Sequence, residues 1–449
     1  MGAFHAYDIR GVYGKDFDSV TAYKVGYFLP SLLDAGEILV GRDCRVSSAE
    51  IHEALIKGIT DAGADVCDIG LSSTPMVYFA TANYGFRASV QITASHNAPE
   101  YNGLKVSREN ALPVGYDAGL GEIERKIESG EPTPAAKVPG KVRMMDIKGD
   151  YFAFMRRYKG DYSNIRIAFD LSNGMANLFA REIFGEGPAY ILDTIDGRFP
   201  VHEPNPLVEK NREALRKLVL ETGADVGVIY DGDADRVMFL DERGRFVAPD
   251  LVIALMSDYF MGERGEKNPV VLQEIRSSKA VAEYLVPMGA DVRTWKVGRA
   301  FAAPRLREID GLWGGELAGH YYFRDFFYSD SGLLASEIVL GIVSRLKSRG
   351  ISLGEMMDTL VRYRNSGEIN FKLDHKQEAM DALKNFFMGE DTAIAGMDFD
   401  GYRVEFADWW FNVRPSNTEP YLRFICEAKD EQLLERRIAQ AKEIIAKFD

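Results

Sequence analysis

The sequence predicts three successive α/β units followed by one α+β unit. Three observations carry this. Short apolar runs alternate with helical patterns through residues 1–364, as strand–helix–strand layers require. From residue 365 the alternation gives way to four strand-like runs flanked by two helical stretches. A length of 449 residues, at about 150 per domain, also exceeds what one core serves.

The first unit, 1–144, opens its layer with a predicted strand at Ile38–Gly41 and a helix over Ala49–Asp61. Ile51, Ala54, Leu55 and Ile59 share one face of that helix, and Gly63 follows its end. A strand at Asp65–Ile69, a helix at Pro75–Ala82 and a strand at Ala88–Thr93 continue what reads as a right-handed parallel layer. Residues Gly130–Gly140 hold three prolines and read as a linker. The second unit, 145–248, gives a strand at Ile165–Asp170, a helix at Met175–Phe184, a strand near Ile191, a helix at Arg212–Glu221 and a strand at Ala224–Tyr230. In the third, 249–364, a helix follows Pro249, then Val270–Gln273, Lys279–Val286 and Asp291–Val297 read as strand, helix and strand. A further strand ends in a Gly-Gly-Glu loop, and a long helix spans Leu333–Leu346. The fourth, 365–449, reads as antiparallel strands at Glu368–Leu373, Arg403–Phe406, Trp409–Val413 and Tyr421–Glu427, with helices at Gln377–Phe387 and Glu431–Lys447.

Lys and Arg total 54 against 68 Asp and Glu, a net charge of −14. That balance argues against nucleic acid and anionic lipid as partners, since both need a basic face. It leaves room for small phosphorylated ligands held by a local cluster of arginines. Cys44, Cys67 and Cys426 are too few and scattered for a disulfide framework or a zinc site. No secretory leader and no apolar run of the ~18–20 residues that span a bilayer are visible, so a soluble cytoplasmic protein is expected.

Four loops carry chemistry. Thr93-Ala94-Ser95-His96-Asn97 lies at the C-terminal end of a predicted strand, where open α/β sheets bind ligands. Neighbouring side chains seldom face each other, so Ser95 reads better as a hydroxyl that carries a phosphoryl group than as half of a Ser–His96 pair. Lys105 follows closely enough to supply charge. Asp231-Gly232-Asp233-Ala234-Asp235-Arg236 sets three carboxylates at alternate positions directly after a strand. Their repulsion calls for a cation, and hard oxygen ligands without Cys or His favour Mg²⁺. Gly314-Gly315-Glu316-Leu317-Ala318-Gly319-His320 lets a carboxylate approach a ligand and offers a neutral-pH acid or base, though a Gly-rich turn would read the same. Arg414-Pro415-Ser416-Asn417-Thr418-Glu419-Pro420, with Arg423 beyond, has the donors of a compact phosphate cradle.

In this order, and with Ala6-Tyr7-Asp8-Ile9-Arg10-Gly11 at the start, the loops resemble those of the α-D-phosphohexomutases (phosphoglucomutase/phosphomannomutase) along the whole chain. The resemblance implies four domains around a central cleft, three similar α/β domains and a C-terminal α+β domain. It implies an isomerase that interconverts hexose 1-phosphate and hexose 6-phosphate, of glucose and/or mannose, through a phosphoserine and a hexose 1,6-bisphosphate intermediate and activator. Ser95 is similar to the phosphoserine. Asp231, Asp233 and Asp235, with Ser95, are similar to the ligands of one Mg²⁺ per chain, and Glu316 to a sugar-hydroxyl contact. Arg414, Ser416, Asn417 and Thr418 resemble the clamp for the phosphate that is not transferred, with Arg423 alongside. Tyr7, Arg10, His96, Lys105, Arg236 and His320 match cleft positions that assist transfer, and Arg276 matches a variable basic one. Ala318 stands where many bifunctional members carry serine, and Arg299 where histidine is common. The expected partners are small sugar phosphates, and the expected assembly is a monomer or homodimer. A phosphoglucosamine mutase of the same family is the nearest rival, a Mg²⁺-dependent sugar phosphatase a further one, and a non-catalytic sugar-phosphate sensor a third.

Overall fold

The computed structural model describes residues 2–416 and 421–448. Among them four sheets form, one in each predicted unit. The first has a parallel centre of Asp65–Leu71, Glu37–Arg42 and Ala88–Ile92. The crossover helices Ser48–Asp61 and Thr74–Asn83 connect these strands as the periodicity required. Helix Ser19–Leu33, which the apolar pattern did not single out, is capped by the Asp18 side chain accepting from Thr21 N. Gly130–Gly140 carries neither helix nor strand, and after it Val142–Met144 adds a parallel edge strand beside Asp65–Leu71.

The expected parallel layer forms in the three central strands of the first sheet, and antiparallel strands the sequence reading did not include extend it, so the sheets are mixed. In each of the first three, a central strand turns back through its chemistry-bearing loop into an antiparallel partner. Ala88–Ile92 pairs with Tyr101–Arg108, Val226–Tyr230 with Val237–Asp241, and Trp313–Gly315 with Tyr321–Phe323. The fourth sheet does the same with Trp409–Pro415 and Tyr421–Ala428. All four motifs are therefore hairpin connections. The first return strand was hidden because it begins with polar and small residues that serve the surrounding loops rather than the core. Buried Asn102, for example, donates to Ser47 Oγ and Ser48 Oγ at 2.8 and 3.0 Å.

The predicted helix at 175–184 is instead a 3₁₀ turn, Met175–Leu178, followed by the short helix Ala180–Phe184. Its start is tied down by Met175 N donating to Gly232 O at 2.8 Å, which fixes it against the aspartate loop. Helix Gly332–Ser348 is buried around most of its circumference, as an apolar helix must be. It lies against the second sheet, where Tyr230 OH donates to Ser336 Oγ at 2.7 Å. One apolar core thus spans the second and third units and takes in helices Thr74–Asn83 and Lys148–Met155, while the fourth unit keeps its own.

Candidate active site

The first hairpin loop holds Ser95 at φ +50°, a conformation that strains a residue with a Cβ. Arg45, 2% exposed, fixes it there. Its Nη2 donates to Ser95 O at 2.9 Å and Asn97 O at 2.6 Å, and its Nη1 to Ala98 O at 2.7 Å and Tyr101 O at 3.0 Å. Thr93 Oγ1 accepts from Ser95 N at 2.9 Å. With its backbone so held, Ser95 Oγ donates to Asp231 Oδ2 at 2.7 Å. His96 Nδ1 is farther away, at 3.4 Å. Burial first, then Arg236 and Arg10, push the His96 pKa well below the ordinary value, so its ring is neutral at pH 7.

The second hairpin loop brings Asp231, Asp233 and Asp235 together, fully buried, with one oxygen of each within 4.8 Å of the others. The intervening residues make this possible. Ala234 adopts φ +60°, and a Cβ on Gly232 would lie 2.5 Å from Ser95 O, so only glycine lets the two loops meet. Burial, then Asp233 and Asp235, hold the Asp231 carboxyl well above the carboxylate range. Lys105 Nζ answers the cluster at 2.6 Å from Asp233 Oδ2 and 2.5 Å from Asp235 Oδ2. Burial works against that ammonium, but the two aspartates hold its pKa above the ordinary lysine value. Thr74, at the start of its helix, bonds Asp233 through both its hydroxyl and its backbone N–H. Asp233 Oδ1 and Asp235 Oδ1 remain buried without a hydrogen-bond donor among the described residues. Two bare carboxylate oxygens in an all-oxygen set are the donors a hard divalent cation takes, so the residues present fit Mg²⁺.

The third loop meets the second through an isolated bridge between Arg236 and His320. Arg236 Nε donates to His320 Nε2 at 2.8 Å. Guanidinium can only donate, so Nε2 carries the lone pair and Nδ1 carries the proton, given to Asp330 Oδ2 at 2.6 Å. Glu316 accepts from the Tyr322 hydroxyl and from Gly298 N at 3.2 Å. Burial is the main cause of its raised pKa. A cleft between the first three units is lined by Tyr7, Arg10, Lys105, Asp235, Arg236, Arg276, Glu316 and His320. Tyr7 OH donates to Val297 O at 3.1 Å, and Arg10 Nη1 to Asn97 Oδ1 at 2.8 Å.

Of the fourth loop's candidate residues, Arg414 and Ser416 are described, and Arg423 lies in the strand that follows it. Arg414 pairs with Asp400 at 3.3 Å, Arg423 with Glu368 at 3.0 Å, and Ser416 N donates to Tyr421 O at 2.8 Å. Asn417 and Thr418 lie outside the described residues. Arg45, Thr74 and Asp330 escaped the sequence reading. Arg45 and Thr74 act on motif residues distant along the chain, Asp330 on His320 ten residues before it, and a lone Arg, Thr or Asp carries no pattern. Arg299 was noted only as a departure. It donates from Nε to Asp330 Oδ1 at 2.9 Å and stacks its guanidinium 3.7 Å over the Tyr78 ring. No helix among the described residues is long and apolar enough to cross a membrane.

Comparison with known proteins agrees with this geometry. Family models described as phosphoglucomutase/phosphomannomutase alpha/beta/alpha domains I, II and III match residues 1–133, 150–244 and 248–363, and the C-terminal domain model matches 368–444. A phosphomannomutase of Escherichia coli (strain K12) is 35% identical over 452 residues, covering 97% of each chain. One of Methanocaldococcus jannaschii is 33% identical over 455 residues, covering 99% of this chain and 98% of the relative. A solved phosphoglucomutase/phosphomannomutase family protein of Burkholderia thailandensis superposes with a TM-score of 0.86 at 26% identity, covering 99% of this chain and 97% of the other. The chain belongs to the phosphoglucomutase/phosphomannomutase family and is a phosphohexomutase, an isomerase.

Proposed function

We propose that the chain interconverts the 1-phosphate and 6-phosphate of glucose and/or mannose, with Ser95 as the phosphoryl carrier and a hexose 1,6-bisphosphate as intermediate. The observation that carries this is the 2.7 Å contact of Ser95 Oγ with Asp231, inside a triad that keeps two bare carboxylate oxygens. Asp231, Asp233 and Asp235, with an oxygen on Ser95, would hold one Mg²⁺, which when bound neutralises charge on the phosphoryl group.

The chain's own groups supply the rest. Arg45 and Thr93 hold the Ser95 loop rigid, so Oγ keeps its aim. A sugar hydroxyl attacks phosphorus, the bond to Ser95 Oγ breaks, and Lys105, Arg236 and Arg10 stabilise the charge that builds up on the equatorial oxygens. His320 Nε2, kept as the lone-pair nitrogen by Asp330, takes the hydroxyl proton as Arg236 turns to the phosphate. Glu316 accepts from sugar hydroxyls, and Tyr7 and His96 shape the cleft beside them. Arg276, Arg414, Ser416, Asn417, Thr418 and Arg423 hold the phosphate that stays. The bisphosphate then turns end over end, presenting its other phosphate to Ser95. The boundaries we propose between the four domains are 144/145, 248/249 and 364/365.

A phosphatase has no use for a clamp on a distal phosphate, which favours the mutase reading. The relatives' names support mannose and glucose as substrates. A solved N-acetylphosphoglucosamine mutase of Aspergillus fumigatus shares the fold at 14% identity. Kinetics with mannose, glucose and glucosamine phosphates, primed with the bisphosphate and Mg²⁺, test the reading. We expect kcat/KM for mannose or glucose phosphate to exceed that for glucosamine phosphate by at least about tenfold. A reversed order would assign the amino sugar, and phosphate release without isomer would assign a phosphatase.

A further inference from the structure

Arg414 and Arg423 stand directly opposite each other across the hairpin of the fourth sheet. Like charges in that register repel, and each of the two is answered by its own acid: Arg414 by Asp400 at 3.3 Å and Arg423 by Glu368. Glu368 also reaches a third arginine. Its Oε1 lies 3.0 Å from Arg423 Nη1 and its Oε2 2.9 Å from Arg276 Nη1, tying the C-terminal unit to the third. Burial would raise this carboxyl, but Arg276 and then Arg423 outweigh it, with Arg414 adding a smaller share, and its pKa falls below the ordinary value.

The backbone is shaped to put it there. Strand Tyr421–Ala428 pairs with Asn365 at Glu427 and with Ile369 at Phe424. One side takes four steps where the other takes three, so a residue bulges between them. Gly367, at φ +66°, supplies the left-handed conformation such a bulge requires. The bulge re-aims the next side chain, which is Glu368, at the arginines.

We propose that Glu368 is a built-in stand-in for phosphate: its carboxylate occupies the arginine set that holds the non-transferred phosphate, and the substrate displaces it. This rests on the proposed assignment of Arg276, Arg414 and Arg423 to that phosphate. Two consequences suit a mutase. The guanidinium groups stay ordered before substrate arrives, and competition from the carboxylate weakens the grip enough to release the bisphosphate for its turn. Glu368 is a positioning residue, since it acts through the arginines rather than on the reacting atoms.

Inorganic phosphate, used as a competitive inhibitor of the full chain, tests this. Glu368→Gln is expected to lower the inhibition constant by about tenfold, and to lower KM for the sugar phosphate together with kcat, because release slows. Glu368→Asp, which keeps the charge, should stay within about twofold of the parent. A Gln variant with unchanged or weaker phosphate inhibition overturns the proposal, as does an Asp variant that behaves like Gln. Hydrogen exchange on the unaltered protein provides an arm that needs no variant. Phosphate should slow exchange at Arg414 and Arg423 while speeding it at 366–368, where the carboxylate lets go. Slowing at both places means Glu368 is a fixed strut and sinks the proposal alone. An absence of both inhibition and protection sinks it together with the phosphate assignment.

Discussion

Ser95 Oγ and Asp231 Oδ2 are joined at 2.7 Å across two different sheets, both ends fully buried. A hydroxyl that donates to a carboxylate inside an acidic cluster is held with its lone pairs free to bond phosphorus. Ser95→Ala should cut 1-phosphate to 6-phosphate interconversion by about a thousandfold or more. The fold should survive, because the loss is one buried hydrogen bond, about 1–3 kcal/mol. Turnover at fixed substrate and bisphosphate, with circular dichroism as the fold control, checks both halves. Near-parental turnover in a folded variant would remove Ser95 from the carrier role.

The same junction depends on Gly232. A Cβ there meets Ser95 O at 2.5 Å, and because that atom is backbone it cannot swing aside. Gly232→Ala should therefore separate the two loops and lower kcat by about a hundredfold, the scale of an ångström-sized misplacement. The thermal midpoint should fall as well. A variant with parental kcat would show that the loops need not touch.

What was legible in the sequence follows from where the information lies. Ser95, the three aspartates, Glu316 and Arg414 sit in short local motifs, and each was singled out from its neighbours in sequence. The parallel strands were equally legible where the apolar run is continuous, as in Val226–Tyr230; Ala88–Ile92 alternates Ala, Val and Ile with Ser89 and Gln91, yet both strands are buried along their whole length. Arg45 and Thr74 were not legible, since each acts only on a loop 50 or more residues away in sequence. The return strand Tyr101–Arg108 was missed because Asn102 and Gly103 break its alternation, and they do so to serve neighbouring loops and strands. Asp330 had no motif of its own, and its role appears only once His320 lies beside it.

Metal removal gives a third expectation. The triad has Lys105 and Arg236 as its nearest cations, and two of its oxygens lack a donor. Chelation with EDTA should abolish turnover and lower the thermal midpoint, and Mg²⁺ should restore both. Asp233→Asn removes one ligand charge and one partner of Lys105. It should raise the Mg²⁺ concentration for half-maximal activity by about tenfold or more. Full activity in EDTA would exclude the triad as a metal site.

A fourth expectation concerns stability against pH, and it rests on Glu337 in the middle of helix Gly332–Ser348. This residue is 0% exposed, and neither carboxyl oxygen has a hydrogen-bond partner among the described residues. Burial pushes its pKa from 4.5 to about 9, only weakly opposed by Lys159 and Arg156. The folded-state value is raised, so its stabilising contribution is complete below pH 4.5 and is lost as pH climbs through about 9. At pH 8 the protonation needed to stay buried costs of order 5 kcal/mol relative to the unfolded chain. Glu337→Met fills the same space without a titrating group. It should be more stable than the parent by several kcal/mol at pH 8 and nearly equal to it at pH 4.5, in urea unfolding followed by circular dichroism. The difference between the two should shrink steadily as pH falls. A constant gap across that range would mean that Glu337 stays ionised in the fold, with a counter-charge reaching it from Lys159 or Arg156.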